Sequence, residues 1–574
     1  MDSSFTKVTV QVPKLSGFDK SHQNLLTSKV GTITPILIDE LIPGSKIHLS
    51  LALSAQLPPL AADTFMRCVI KTECFFIPLR LLASSFESWF TDTAVSFQGS
   101  YGVTSNFTDK VGFLPVMGNF SGTAVGPDGS TPLIAYVQQV GSLGDYLGLK
   151  TGQAYLATGF ITALPFLAYH RVYDDWYRNT LVQRPVFVRP MYNNSSSIAP
   201  PSYDLSAGTA PYYFFSETSY SAGVQNYQFT TLDSLRLADG AYLFDLRQRN
   251  FGLDYFTTAT PEPQLGPAMT VGFGAFGPAG HTAGDSTHFS IAALRAANSL
   301  QQFAERNNLS GARYQDQLRA RYGANLSSGV AQRSLFLGGA SFDVYTKGIY
   351  QQGQDVEFSG TSGTYSTSTN NPFQYTTGAK FGSASAAGKS MNISFEANEP
   401  GYLLVNATLV PKVTYSSGIN RRFMHYIGAG SLTDLANPIL QNVGPQPIFE
   451  SELTGANPTT VFGFTDKYAE FKTMEDELHG IVRDGATLQA FALQRSFASG
   501  SSPKISSSFL QIPKNYMDQV TAVSSTLSNY GYWLDTYFDY KVSQPLAKYS
   551  LPSLQDPAYE HGKSVTMQKG GQRL

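Results

Sequence analysis

Lys46-Ile-His-Leu-Ser-Leu-Ala-Leu-Ser54 alternates strictly between apolar and polar residues. Side chains repeat every second residue along a strand, so Ile47, Leu49, Leu51 and Leu53 share one sheet face. The same period runs through Leu403, Val405, Ala407 and Leu409. Near the other end, Tyr532, Leu534, Thr536, Phe538, Tyr540 and Val542 alternate with Trp533, Asp535, Tyr537, Asp539 and Lys541. The segment Met66 to Ile77 is more continuously apolar and reads as a strand buried on both sides. Asp39-Glu-Leu-Ile-Pro-Gly-Ser45 is a turn signal, with Pro43 and Gly44 in the expected roles. Strands therefore stand near both ends of the chain.

Helical periodicity lies between them. Leu79 to Phe90 carries Leu82, Phe86, Trp89 and Phe90 at helical spacing, and Ala168 to Leu181 places Val172, Tyr173, Trp176 and Tyr177 on one side. From Ile291 to Tyr322, a stripe of Ile291, Leu294, Leu300 and Phe303 precedes a polar break at Asn307-Asn-Leu-Ser-Gly311. Tyr314, Leu318 and Tyr322 then recur, and Gly323 suits the C′ position. Long tracts rich in Gly, Ser, Thr or Pro fill Gln98 to Thr131, Asn193 to Gly223 and Gly353 to Gly388. Loops of this length are uncommon and usually functional. No repeat of 20 to 50 residues is present, which disfavours solenoids and propellers.

Of the 574 residues, 42% are hydrophobic, 13% aromatic and only 14% charged. Forty basic residues against forty-two acidic ones leave a net charge of −2. This balance disfavours nucleic-acid binding through global charge and removes a barrier to self-association. High hydrophobicity with small net charge also disfavours intrinsic disorder.

Cys68 and Cys74 lie six residues apart in one strand, roughly 20 Å of reach. A disulfide needs Cα atoms within about 7 Å, so two buried free thiols are expected. No signal peptide and no run of 18 apolar residues is visible, so neither export nor a membrane-spanning helix is expected. Gly272-Phe-Gly-Ala-Phe-Gly277 matches G-x-G-x-x-G, but Pro278 follows and no helix opens. Gly388-Lys-Ser390 lacks the first P-loop glycine, since residue 383 is serine. His281 and His288 flank Asp285 in a glycine-rich loop, where a solvated loop is a better reading than a metal site. Asp174 and Asp175 are helix neighbours pointing about 100° apart, poor partners for shared acid–base work. No catalytic residue, metal ligand or cofactor site is expected. After Glu560 the tail carries Lys563, Lys569 and Arg573 and no acidic side chain, a basic asymmetry able to rest on phosphates.

Several stretches in order resemble the major capsid protein of the microviruses, small single-stranded-DNA phages, and especially the gokushovirus-like branch. The match is carried by Thr27-Ser-Lys-Val-Gly-Thr-Ile-Thr-Pro-Ile36, Phe75-Phe-Ile-Pro-Leu-Arg-Leu81 and Leu164-Pro-Phe-Leu-Ala-Tyr-His-Arg-Val-Tyr-Asp-Asp-Trp-Tyr-Arg178. Asp254-Tyr-Phe-Thr-Thr258 and Gly311-Ala-Arg-Tyr314 continue it, and Phe538-Asp-Tyr-Lys-Val542 closes it. The resemblance implies a mainly β chain: an eight-stranded antiparallel jelly-roll sandwich with large loop- and helix-containing insertions. One capsid domain over 1–574 is expected. Its β framework would come mainly from 30–80 and 400–550, with insertions at about 98–145, 165–325 and 350–390, and a basic tail at 561–574.

The resemblance further implies no enzyme activity. It implies about sixty copies closing a T=1 icosahedral shell around circular single-stranded DNA. Minor virion proteins and a host surface receptor are the further partners, without membrane insertion. The virion would be assembled in the bacterial host cytoplasm, which suits free thiols. In gokushoviruses a variable insertion after the Pro-Gln-x-Gly stretch forms a threefold protrusion. Here only 266–291 is available, so 193–223 or 98–131 is expected to decorate the surface instead. Lys563, Lys569 and Arg573 are the expected DNA contacts; Trp89, Trp176 and Tyr177 are expected anchors of the core or of subunit contacts. The alternative reading is a β-sandwich glycan-binding or glycan-hydrolysing protein, which would need two facing carboxylates.

Overall fold

A computed structural model describes residues 7–11, 15–61, 64–83, 114–120, 124–152, 155–187, 235–264, 291–310, 313–323, 332–351, 380–425, 438–521, 531–546 and 564–568, together with Phe86, Phe90, Gln228, Phe229 and Leu232. Eight strand positions form the framework: β1 (His22–Ser28), β2 (Thr34–Leu41), β3 (Lys46–Gln56), β4 (Cys68–Pro78), β5 (Leu335–Gln351), β6 (Lys380–Glu396), β7 (Gly401–Pro411) and β8 (Tyr532–Gln544). All pairings between them are antiparallel. One sheet runs β1-β8-β3-β6 and the other β2-β7-β4-β5. Ser16–Asp19 prolongs the β1 edge along β8. The paired ends of β5 and β6 join the two sheets: Tyr345–Gln351 meets Lys380–Ser385, while the other halves turn to β4 and β3. This interleaving of sequential strands between two sheets is the jelly roll.

The two alternating segments that open the reading are neighbours. Val542 pairs with Ile47, Tyr540 with Leu49, Phe538 with Leu51 and Thr536 with Leu53. All eight of these side chains are buried. They face Ile70, Leu403, Val405 and Leu409 from the second sheet in one core. Each such aliphatic or aromatic side chain contributes about 1.5–3 kcal/mol through its burial.

The second sheet is covered on both faces. Leu403, Val405 and Ala407 point into the sandwich, while Tyr402 and Leu404 join a separate core with Ile33, Phe75 and Ile77. Every residue of β7 is buried for this reason. The continuous apolar reading of 66–77 has the same cause. Cys68 and Cys74 are buried free thiols, and burial raises Cys68 to about 12. A third, smaller core gathers Phe256, Ile448, Leu453, Phe462 and Phe509.

Three helices matter below. α1 (Leu164–Val172) lies against β4 and β7, with Pro165 in its first turn. It starts four residues before the expected segment and gives way to a π-helical turn at Tyr173–Tyr177. α2 (Ile291–Ser310) runs into the expected polar break and stops within it. α3 (Tyr314–Tyr322) ends on Gly323, whose φ of +68° supplies the left-handed cap. Between 79 and 90 the described residues form a 3-10 turn at Leu79–Leu81, and beyond Ala83 the two described residues, Phe86 and Phe90, are helical as expected. Asp39–Leu41 belongs to β2, which leaves the turn to Pro43 and Gly44. At Gly31 the φ is +69°, and a Cβ would sit 2.5 Å from Ile512 Cβ, so a side chain there is excluded twice over.

Strands β5 and β6 extend the framework into 335–351 and 380–396, within reach of the stretch read as an insertion at 350–390. Lys389 and Ser390 accordingly belong to a strand rather than to a phosphate-binding loop. The basic tail is not wholly detached: Ser564–Gln568 pairs with Lys7–Gln11, with Val10 opposite Val565 and Val8 opposite Met567. Residues 98–113, 193–223 and 266–290, with His281 and His288, lie outside the described residues.

Candidate functional site

The Leu164–Arg178 segment forms the joint between the large insertion and the jelly roll. α1 is apolar nearly throughout, so it buries Leu164, Phe166, Leu167, Tyr169 and Val172 under the second sheet. Its polar groups are matched inside. The Tyr169 hydroxyl donates to the Ile33 carbonyl at 2.7 Å and accepts from the Arg247 N–H at 2.9 Å. His170 is fully buried. Its Nε2 bonds the Leu243 carbonyl at 2.8 Å, and its Nδ1 accepts from Arg247 Nε at 2.9 Å. Burial first, and then the Arg247 charge, hold the imidazole well below its usual range, so it is neutral. Both ring nitrogens are engaged, and His170 is therefore a structural linker rather than a base. Arg247 also ion-pairs with Asp239.

The π-helical turn aims the next four side chains. Asp174 pairs with Arg178 at 2.7 Å and accepts from the Val186 N–H at 3.1 Å. Asp175 pairs with Arg171 at 3.0 Å. It also accepts from the N–H and hydroxyl of Ser334, at 2.9 and 2.8 Å. The adjacent aspartates thus serve separate partners, one of them at the entrance to β5.

Trp176 donates from Nε1 to the Ser334 hydroxyl at 3.0 Å. Its ring packs against Phe75 and Phe336, and the Arg333 guanidinium lies 3.6 Å from its centroid. It remains 38% exposed, so it sits at the rim of the joint. Tyr177 turns inward and donates to Glu73 Oε2 at 2.5 Å. Arg249 holds both Glu73 oxygens, at 2.7 and 2.8 Å, and stacks 5.0 Å above the Tyr177 ring. Burial alone would raise the Glu73 carboxyl, but the Arg249 fork and the Tyr177 hydroxyl outweigh it and hold it below the usual range. Tyr177 is pushed well above its usual value, by burial first and then by the Glu73 charge.

Trp176 and Tyr177 are therefore brought together on one joint, whereas Trp89, Lys563, Lys569 and Arg573 lie outside the described residues. The sequence reading missed Glu73, Arg249, Arg247 and Ser334. Glu73 had a signal: it is a carboxylate next to the apolar run Cys74–Ile77 of a buried strand, which demands a partner. The arginines carry no local signal, since they lie more than 170 positions away. Among the described residues no group of three or more His, Cys, Asp or Glu is placed to hold a metal ion. No helix among them is long and apolar enough to cross a membrane. The arrangement locks an insertion onto a sandwich and offers no free nucleophile or base.

Residues 7–289 and 278–554 match the family described as capsid protein (F protein). The chain is 24% identical to capsid protein VP1 of Chlamydia phage 1, over 97% of this chain and 98% of that protein. It is 23% identical to capsid protein VP1 of Bdellovibrio phage phiMH2K, over 96% and 97%. With capsid protein VP1 of Spiroplasma virus 4 it shares 22% identity, over 93% and 94%.

Proposed function

This chain belongs to the capsid protein (F protein) family and is a structural major capsid protein of the microvirus type, not an enzyme, and from that premise we propose that about sixty copies close a T=1 icosahedral shell around circular single-stranded DNA. The observation that carries this reading is end-to-end similarity to capsid proteins on a complete jelly roll. A closed shell needs several distinct interfaces on each subunit, and the large insertion between β4 and β5 supplies that surface. The role of the Trp176–Tyr177 joint is to hold the insertion in a fixed orientation, so that its surfaces meet those of neighbouring copies. DNA contact is local, because a net charge of −2 provides no global attraction. Lys563, Lys569 and Arg573 are the tail residues assigned to it. Minor virion proteins and a host receptor would act on the assembled shell, which forms in the host cytoplasm.

Electron microscopy of particles from phage-producing cells, followed by nuclease treatment and extraction, tests this. Uniform icosahedral particles with nuclease-protected circular single strands are expected. Soluble monomers that bind or hydrolyse glycans would contradict it and restore the alternative reading.

A further inference from the structure

The stripe of apolar residues on α2 does not face the core. Leu300 is 52% exposed and Phe303 48%, while the side turned to the body carries Ala304 and Asn308. Asn308 Nδ2 donates to the Glu262 carbonyl at 2.7 Å. A helix that buries an asparagine and exposes leucine and phenylalanine turns its apolar surface away from the described body, free to meet a partner.

The same surface is basic. Residues 291–333 hold six arginines (Arg295, Arg306, Arg313, Arg319, Arg321 and Arg333) against Glu305 and Asp316, with no lysine. Arg313 and Arg333 are tied to the backbone carbonyls of Asp174 and Asp175. Arg295, Arg306, Arg319 and Arg321 are exposed. The Arg321 guanidinium lies 4.6 Å from the Phe303 ring centroid, so charge and apolar surface are one patch.

Beside it is a cleft of about 600 Å³, within the size range of binding sites. Its rim carries three of the most exposed large apolar side chains: Met474 at 90%, Leu253 at 87% and Leu309 at 67%. Its lining holds Asp254, Asp466, Glu475 and Asp476 against Lys412 and Lys472. Asp476 is already paired with Lys412 and Asp466 with Lys472. Glu475 Oε1 is shut off from solvent and has no hydrogen-bond partner among the described residues. An apolar mouth over an unpaired carboxyl oxygen fits a guanidinium carried on an aliphatic stem, whose charge would favour release of the carboxyl proton on docking.

We propose that this cleft receives an arginine side chain from the α2–α3 surface of a second copy of this chain. The inference rests on the shell reading and assigns one of its contacts. The two patches adjoin, since Leu309 of α2 also lines the cleft. A rotation relating two copies therefore sets the arginines of each against the cleft of the other. Aliphatic side chains do not stack on bases, so Leu300 and Leu309 favour a protein partner over a nucleic acid on this surface.

Three full-length variants test the contact: Met474→Asp at the rim, Glu475→Gln in the cleft, and Arg306→Glu with Arg319→Glu on the helices. Each should lower particle yield about tenfold or more, the scale of losing one interface anchor. Thermal unfolding of the soluble subunit should be unchanged for Met474→Asp, whose side chain is in solvent. Glu475→Gln should weaken assembly at pH 8 while leaving the free subunit at least as stable, a pair of opposite effects that a merely structural role would not produce. Wild-type particle yield for all three variants overturns the inference while leaving the shell reading intact. Normal particle numbers with reduced DNA for the arginine variant would make α2–α3 a nucleic-acid surface and also overturn it. If the wild type itself forms no closed particles, the shell reading fails and this contact falls with it.

Discussion

Single residues decide whether the joint is rigid. Glu73 and Arg249 are mostly buried partners, and removing one leaves the other charge unmatched. Arg249→Met should destabilise the subunit by about 3–5 kcal/mol in chemical denaturation, whereas an exposed pair such as Lys46–Glu396 should cost under about 1 kcal/mol. Glu475 gives a pH signature. Burial first, then Asp254, Glu452 and Asp476, push its carboxyl up to about 8, against the single opposing N–H of Tyr255. The folded subunit therefore holds a proton that the unfolded chain releases near 4.5. That stabilisation is complete below pH 4.5 and is lost as the pH rises through 8. Melting of the free subunit across pH 4 to 9 should show this loss, and Glu475→Gln should flatten it. An unchanged slope in the variant would contradict the assignment.

At the scale of elements, alternation was a sufficient signal where one face is buried and the other is not. β8 follows it from end to end on its buried face and β3 does so except at Ser50, which is also buried, because each closes the sandwich on one side only. The doubly covered sheet was legible as continuous apolar sequence in β4. The helices were less legible. The π-helical turn has no signature in periodicity, and the Ser334 contact that holds its Asp175 comes from 159 positions away. The α2 stripe was visible, but periodicity reports a face and not what covers it. Trp176 was legible as an anchor by residue type, while its partners Arg333 and Ser334 required the fold. Trp176→Ala should destabilise the subunit by about 2 kcal/mol, less than a fully buried tryptophan because part of the ring is in water, and should lower particle yield. Deleting 561–574 should reduce the DNA content or heat resistance of particles. It removes three cations and also the partner strand of Lys7–Gln11, so restoring Ser564–Gln568 without Lys569 and Arg573 separates the two effects. Normal packaging after the full deletion would remove the tail from DNA contact.

The whole molecule joins few charges, many aromatics and a near-neutral balance to a sandwich with a long insertion between β4 and β5. These are properties of a subunit that buries much of itself against copies of itself. The most direct test of that claim is the mass and symmetry of the purified particle, by native mass measurement together with single-particle imaging. The account predicts one closed species with a protein mass of about sixty times 62.4 kDa and icosahedral symmetry. Monomers, open tubes or a broad range of masses from intact, folded chains would contradict it.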